Sequence, residues 1–342
     1  MNRSILSALA LLSVPALASF PAVDEIAFSP VEGLRLTTTF DQVTSFSLVD
    51  QSTELTVGGE AQDAADMEIG LELDQSEHKV WTDTFEALED GQTTILKRTF
   101  DELSSESVTK FTPPGGEEDV TEDEGESELE GSTVVFKWDS EDEEYTVAFD
   151  EEEADGDEDL LEKLEFDAFL VGFLPEEDVS EGDTWDIDLE AFNQLSSPGG
   201  DLAIIEDDDE EEDDDDDFTN QFEENLEGTL QGEYKGVREI DGESYAVIFV
   251  TAELETEVEQ ESDFPEEGVE GTVVETYSFI LELEGELLWN VKAGHAVSFT
   301  FAGDMEVVIE EESRFEVPQV GEIVAIDTRS MEGEIHIELS VE

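Results

Sequence analysis

The chain has 342 residues, of which 98 are acidic and 13 are basic, and its formal net charge is −85. A field of that sign repels nucleic acids and anionic membrane surfaces, so we expect neither as a partner. The chain has no cysteine, which excludes disulfides, and its stability must therefore come from a packed core. Its 38% hydrophobic residues, with 21 phenylalanines, supply enough material for one.

Residues 1–18 have the three parts of a secretory signal peptide. Arg3 gives a positive start, an apolar run extends from Ile5 to Leu17, and Ala16 and Ala18 are the small residues that signal peptidase recognises. The run is too short for a membrane-spanning helix, and no later stretch reaches about 18 consecutive apolar residues, so we expect no membrane insertion. We therefore predict cleavage after Ala18 and export to the periplasm or the extracellular space.

Residues 19–150 are predicted to form an N-terminal β lobe. Apolar and polar side chains alternate with a period of two around residues 34–40, 67–73 and 134–149, which is typical of half-buried strands. Asp90-Gly91 separates two such runs and predicts a hairpin turn. Residues 113–130 are rich in Gly, Pro and acids, so we expect a mobile acidic loop that is dispensable for folding.

Residues 151–200 are predicted to be a helical connector. Leu160, Leu161 and Leu164 share one face of a segment from 157 to 170, which predicts an amphipathic helix. A second, shorter helix is expected from Leu189 to Leu195, because a Ser-Pro-Gly-Gly stretch follows it.

The start of this connector contains the best candidate for a metal site. The acidic residues at positions 1, 3, 5, 9 and 12 of a calcium-binding loop template would be Glu151, Glu153, Asp155, Asp159 and Glu162. Glu in place of Asp at the first position, and a preceding strand instead of a helix, depart from that template. Calcium is thus the one cofactor the sequence suggests, and the alternative interpretation is an acidic entry to a helix.

Residues 201–342 are predicted to form a C-terminal β lobe. Alternating runs recur to the end of the chain, and Asp241-Gly242 predicts a second hairpin turn. Residues 206–217 are twelve consecutive carboxylates, which we expect to form a second acidic loop. The fold class that follows is α+β and β-dominated, with antiparallel meander sheets in two lobes and one amphipathic helix between them.

Several short stretches have a pattern in common with known proteins: 174–179, Gly182-Asp183-Thr184-Trp185, and the segments at 97–101, 198–202 and 285–295. On these stretches the chain resembles uncharacterised secreted proteins of planctomycete-type marine bacteria. The resemblance implies export and a β-rich body, and it implies no activity or functional residue.

The sequence favours a secreted acidic binding or structural module without catalytic activity. No catalytic motif is apparent, and the three histidines, His78, His295 and His336, lack the spacing of metal ligands. Cations, a basic partner or an apolar ligand held in a curved sheet are the binding partners we expect. The alternatives are a calcium- or cation-binding protein and a carboxylate-dependent hydrolase, for which 98 acidic residues do not single out a pair.

Overall fold

The computed structural model describes residues 26–62, 69–140, 143–150, 156–161, 163–166, 170–206, 221–222, 224–263, 271–317 and 320–342, so the predicted signal peptide lies outside the described residues. The described chain forms fourteen β-strands and one α-helix. In chain order these are β1 (Arg35–Val57), β2 (Glu60–Gln62), β3 (Gly70–Glu89), β4 (Gln92–Thr112), β5 (Asp119–Ser127), β6 (Thr133–Asp139), β7 (Glu144–Phe149), β8 (Thr184–Asp186), α1 (Glu190–Ser196), β9 (Ile204–Glu206), β10 (Glu227–Ile240), β11 (Glu243–Asp263), β12 (Gly271–Asn290), β13 (His295–Val317) and β14 (Gly321–Val341).

All fourteen strands belong to one antiparallel sheet. Its main path runs β7-β6-β4-β3-β1-β14-β13-β12-β11-β10-β8, while β2 pairs with β1, and β5 pairs with both β4 and β9. The first and last long strands lie side by side, with a register from Thr38↔Val341 to Val57↔Ile323. The β-dominated α+β class and its antiparallel meanders are confirmed. The strands of both halves share a single sheet, because the pairing of β1 with β14 satisfies edges that would otherwise be exposed.

Long strands with strict alternation build this sheet, and β11 shows the pattern most clearly. Ala252, Leu254 and Val258 are buried on one face, whereas the glutamates between them are exposed on the other. We call the face that carries the apolar side chains the inner face and the opposite one the outer face. The predicted Asp-Gly turns are confirmed: Asp90-Gly91 joins β3 to β4, Asp241-Gly242 joins β10 to β11, and all four residues have positive φ.

The sheet is strongly curved, as contacts of the N-terminal segment show. The ring of Phe28 lies 5.7 Å from Phe85 on β3 and 6.5 Å from Trp289 on β12. Four strand spacings separate β3 from β12 along the sheet, which is about 19 Å in a flat arrangement. One phenyl ring can reach both strands only because the sheet bends around the core.

Glycines on the inner face permit this curvature. A Cβ on Gly285 would lie 1.9 Å from the carbonyl oxygen of Thr300, and one on Gly333 would lie 2.1 Å from that of Ser45. The rings of Phe301 and Phe46 cover these two positions, as aromatic side chains commonly do beside strand glycines.

The connector between the two halves fills the concave side of the sheet. Phe192 and Leu195 of α1 are buried, and Phe173 packs on Phe299 of β13 at 5.2 Å. The helix expected from Leu189 to Leu195 is therefore confirmed. Among the described residues, the helices are too short and too polar to cross a lipid bilayer.

A buried ion pair lies where the connector meets the sheet. Arg98 on β4 is 1% exposed and donates two hydrogen bonds to Asp83 on β3, at 2.8 and 3.0 Å. Its guanidinium lies 5.4 Å from the ring of Trp81 and 5.5 Å from that of Phe136. The paired charge and the aromatic rings together compensate for the loss of hydration.

Two expectations from the sequence are wrong in the described part of the chain. The described residues at 157–161, 163–166 and 170 form no long helix; a 3-10 helix at Glu158–Leu161 is followed by an isolated bridge from Leu164 to Gly200. The leucines there pack against the concave sheet, which takes priority over helical propensity.

The acidic loop expected at 113–130 contains β5, which hydrogen-bonds to β4 and β9. Leu129 is fully buried behind it, and the Ser127 hydroxyl donates a hydrogen bond to the carbonyl oxygen of Leu202. The second acidic loop, 206–217, lies outside the described residues except for Glu206, which ends β9.

Candidate functional site: the outer carboxylate face

Acidic side chains form ordered rows on the outer face of the sheet. In one row, residues on four successive strands stand directly opposite each other, in the order Glu253, Glu282, Asp304 and Glu334. We call these four residues the carboxylate row. All four are exposed, and Cβ atoms of directly opposed residues lie about 4.5–5.5 Å apart in antiparallel sheets.

The carboxylate row continues into further acidic positions. Ser45 on β1 follows Glu334 in the same row, and Asp74 on β3 follows Ser45. The neighbouring row has Glu332 opposite Glu306. The strand pleat produces this arrangement, because a polar residue at every second position of each long strand points to the outer face.

Two open depressions lie on this face and share Asp304 and Glu334. Each has a volume of 630 Å³. The first extends to Glu72, Asp74, Glu306 and Glu332, with Ser45, Ser47 and Gly333 between them. The second extends to Glu253, Glu282 and Glu284, with Gly303 and His336. Carboxylates and small residues make up most of both linings, with Phe46 and Met305 also in the first and Leu283 and Ile335 in the second.

Basic groups lie at the margins of the outer face. Lys110 Nζ is 3.0 Å from Glu72 and 3.4 Å from Asp74, and Arg238 binds Glu286 with two hydrogen bonds. In the described part of the chain, none of the four carboxylates of the row forms a salt bridge with Lys, Arg or His. Directly opposed like charges are destabilising, so the row is a site of repulsion that a cation would relieve.

A histidine on the outer face connects β1, β3 and β4. His78 Nδ1 lies 2.7 Å from Asp41 Oδ1, and its Nε2 lies 3.2 Å from Glu102 Oε2. The hydrogen bond to Asp41, followed by the one to Glu102, raises the pKa of His78 above 6.5 against the opposing effect of its partial burial.

Most of the candidate ligands of the predicted calcium loop lie outside the described part of the chain. Glu151, Glu153, Asp155 and Glu162 lie outside the described residues. Asp159 is described: it is exposed on the 3-10 helix, and its backbone N–H donates a hydrogen bond to Asp157 at 3.2 Å. Within the described ranges, no group of three or more Asp, Glu or His residues has the geometry to hold a metal ion.

The alternation of apolar and polar residues predicts the strands but does not reveal the carboxylate row. Its four members are far apart in the chain, and only the register of β11 to β14 places them side by side. The alternation of Glu253, Glu255, Glu257, Glu259 and Glu261 on β11 is the one signal that could have indicated a continuous acidic surface.

Comparisons with known proteins add no family. No protein-family model matches the chain, and no curated protein matches it. Among solved structures, the outer membrane protein OprG from Pseudomonas aeruginosa aligns with 92% of this chain and 99% of that chain, at 7% identity and a TM-score of 0.17. A likeness of that size carries no argument about fold or function.

Proposed function

We propose that this chain is an exported, non-catalytic binding module that binds a basic partner through its outer carboxylate face. The observation that carries the proposal is the carboxylate row: four exposed carboxylates held side by side on a rigid sheet. Repulsion between these carboxylates destabilises the free protein, and a partner that carries lysines or arginines reduces the repulsion when it binds.

The fixed spacing of its carboxylates distinguishes this surface from one that only has a high net charge. Net charge attracts any cation diffusely and is screened over about 8 Å at physiological ionic strength. Charges fixed on paired strands instead present a constant spacing to a partner, which favours a partner with regularly spaced basic groups. The depressions described on the outer face are lined mainly by carboxylates and small residues, so an apolar ligand is not part of the proposal.

A charge-matched pair of variants tests this proposal. The first neutralises the row with Glu253→Gln, Glu282→Gln, Asp304→Asn and Glu334→Gln. The second removes the same charge from exposed positions scattered over the molecule, with Glu32→Gln, Glu60→Gln, Asp119→Asn and Glu342→Gln. Binding of a fluorescent lysine-rich peptide is measured by anisotropy at physiological ionic strength.

We expect the row variant to lose at least tenfold in affinity and the scattered variant to lose much less. Equal losses in both variants would show that net charge alone attracts the peptide, and would refute the proposed site. Circular dichroism of both variants checks that the sheet is intact.

Export is part of the same proposal and rests on residues 1–18. Arg3, the apolar run to Leu17, and the small residues at Ala16 and Ala18 support it. Mass spectrometry of the protein secreted by an expressing cell should find Ser19 at the N-terminus; a terminus that retains Leu12 contradicts it.

A further inference from the structure

A group of polar residues interrupts the apolar inner face of the sheet on β1, β3 and β4. Two cross-strand rows lie there, and we call their six members the inner polar patch: Gln42, Glu77 and Ser105 in one row, and Thr44, Gln75 and Ser107 in the next. Apolar residues bound the patch along β1, with Phe40 on one side and Phe46 on the other. On β14, its neighbours in register are Ile337 and Ile335.

A cavity of 330 Å³ lies over the inner polar patch. Ile204 of β9 also lines it, so the cavity is bounded by the curved sheet and by the short strand that pairs with β5. On the far side of β4, Gly125 of β5 stands opposite Ser105 and adds no side chain to the space. The volume corresponds to about ten water molecules, at the lower end of the range for small-molecule sites.

The lining of this cavity is mainly hydrogen-bonding, and it contains two carboxylates, Glu77 and the exposed Glu106, together with Ser76. Glu77 Oε2 lies 2.6 Å from Lys79 Nζ, and the Lys79 side chain is 7% exposed and lies over the ring of Phe40. That ion pair neutralises Glu77, whereas Glu106 is open to solvent at the cavity. The remaining members of the patch are two amides and three hydroxyls, which both donate and accept hydrogen bonds.

Two buried oxygen atoms of the lining have no hydrogen-bond partner among the described residues, and one of them, Glu77 Oε2, is ion-paired with Lys79. The other is Gln42 Oε1. A buried acceptor of this kind costs about 1–3 kcal/mol unless a donor reaches it. A molecule bound in the cavity beside Gln42 could supply that donor.

We infer that the cavity binds a small neutral polyhydroxylated molecule of monosaccharide size. Hydroxyl groups can donate to Gln42 Oε1 and exchange hydrogen bonds with Thr44, Gln75 and Ser105. The C–H face of a pyranose ring is apolar and fits against Ile204. Anions are repelled by the net charge of −85. Lys79 neutralises Glu77, so the exposed Glu106 is the carboxylate of the lining that is left to attract a cation.

Two glutamines on β1 provide a matched test. Gln42 and Gln51 both lie on the inner face, and both have a buried Oε1 without a hydrogen-bond partner in the described part of the chain. Gln42 lines the cavity and Gln51 does not. Methionine has a similar size and cannot accept strongly, so Gln42→Met and Gln51→Met remove equivalent acceptors, one inside the site and one outside it.

Binding is measured by isothermal titration calorimetry with D-glucose, D-galactose and D-mannose, and with choline as a cationic probe. We expect at least one hexose to bind the intact protein with a dissociation constant in the millimolar range or below. Gln42→Met should weaken that binding at least tenfold, and Gln51→Met should leave it unchanged. Both variants should keep the melting temperature of the parent or raise it, because each removes an unsatisfied polar atom.

Three outcomes overturn the inference. Hexoses that fail to bind at all show that the cavity holds only water. Binding that Gln42→Met and Gln51→Met weaken equally places the sugar elsewhere. Choline binding in preference to hexoses shows that the carboxylates of the lining, Glu77 and Glu106, act as uncompensated charge. None of these outcomes bears on the outer carboxylate face, which lies on the other side of the sheet.

Discussion

At the scale of single residues, the few basic groups of this chain have the greatest local effect. Arg98 is held inside the fold by Asp83, and Lys79 by Glu77, so both charges are compensated within two adjacent strands. Among these basic residues, His78 is the one whose charge changes near neutral pH, and Asp41 and Glu102 flank it on the outer face. Each of these three basic side chains reduces the repulsion between nearby carboxylates.

His78 should make stability depend on pH near neutrality. Its folded-state pKa is raised above 6.5, so its stabilising contribution is fully present below pH 6.5 and is lost as the pH rises through the folded value. Thermal melts of the parent should therefore show a downward step above pH 6.5 that His78→Gln lacks. His336→Gln, an exposed histidine on the same face, is the control and should keep the step. An identical pH profile for the parent and His78→Gln would contradict this role.

At the scale of elements, composition was a poor guide to which acidic segments fold. β5 is as acidic as a disordered segment, yet it pairs with β4 along Ser104 to Phe111, and its end leads into a fully buried leucine. Backbone hydrogen bonds do not depend on side-chain polarity, and one anchored apolar residue is enough to hold a strand at the edge of a sheet. Glycine has a similarly local role, since it permits the close approach of neighbouring strands at Gly285 and Gly333.

Leu129 tests whether the β5 segment is structural. Leu129 is 0% exposed, and the backbone next to it is held by Ser127 and by Glu130, whose carboxylate accepts a hydrogen bond from the N–H of Leu103 at 3.1 Å. Leu129→Ala should lower the free energy of unfolding by about 2–5 kcal/mol in urea melts. Val120→Ala, at a β5 residue that is 47% exposed, should change it by less than about 0.5 kcal/mol. A near-zero effect of Leu129→Ala would support the mobile loop expected from the sequence.

Gly285 tests the origin of the sheet curvature. A methyl group there would lie 1.9 Å from the Thr300 carbonyl oxygen and 2.8 Å from the Phe301 ring. Gly285→Ala should therefore destabilise the protein by about 1–3 kcal/mol in the same urea melts, through displacement of β13. At Gly70 the nearest atom would be the Thr112 side chain at 3.2 Å, so Gly70→Ala should cost much less. Equal effects of the two substitutions would show that the close approach at Gly285 is not a constraint.

At the scale of the whole molecule, one curved sheet separates two chemical environments. The inner face holds the core, the connector and the inner polar patch, whereas the outer face carries the carboxylate row. Folding brings these carboxylates closer than they are in the open chain, so self-repulsion is greater in the native state. The stability of the molecule should accordingly follow the ionic strength.

Salt should raise the melting temperature steeply from low ionic strength upward, because ions screen repulsion between exposed charges. Thermal melts in NaCl, MgCl₂ and CaCl₂ at equal ionic strength provide the measurement. We expect calcium and magnesium to act alike, through screening. A calcium increment that Asp155→Asn with Glu162→Gln abolishes would instead establish the calcium loop expected from the sequence. A melting temperature that does not respond to NaCl would refute the electrostatic argument itself.

The sequence by itself determined the properties that follow from local pattern and composition. Period-two alternation specified the strands and their inner and outer sides, and Asp-Gly specified two hairpins, because both effects act within a few residues. It also located the short helix ended by Pro198-Gly199-Gly200. The tertiary structure alone decided that β1 lies beside β14, that the described residues between 157 and 166 pack without a long helix, and that β5 is a strand. Pairing partners and register depend on which distant segments bury their surfaces together, and so the carboxylate row and the inner polar patch exist only in the folded sheet.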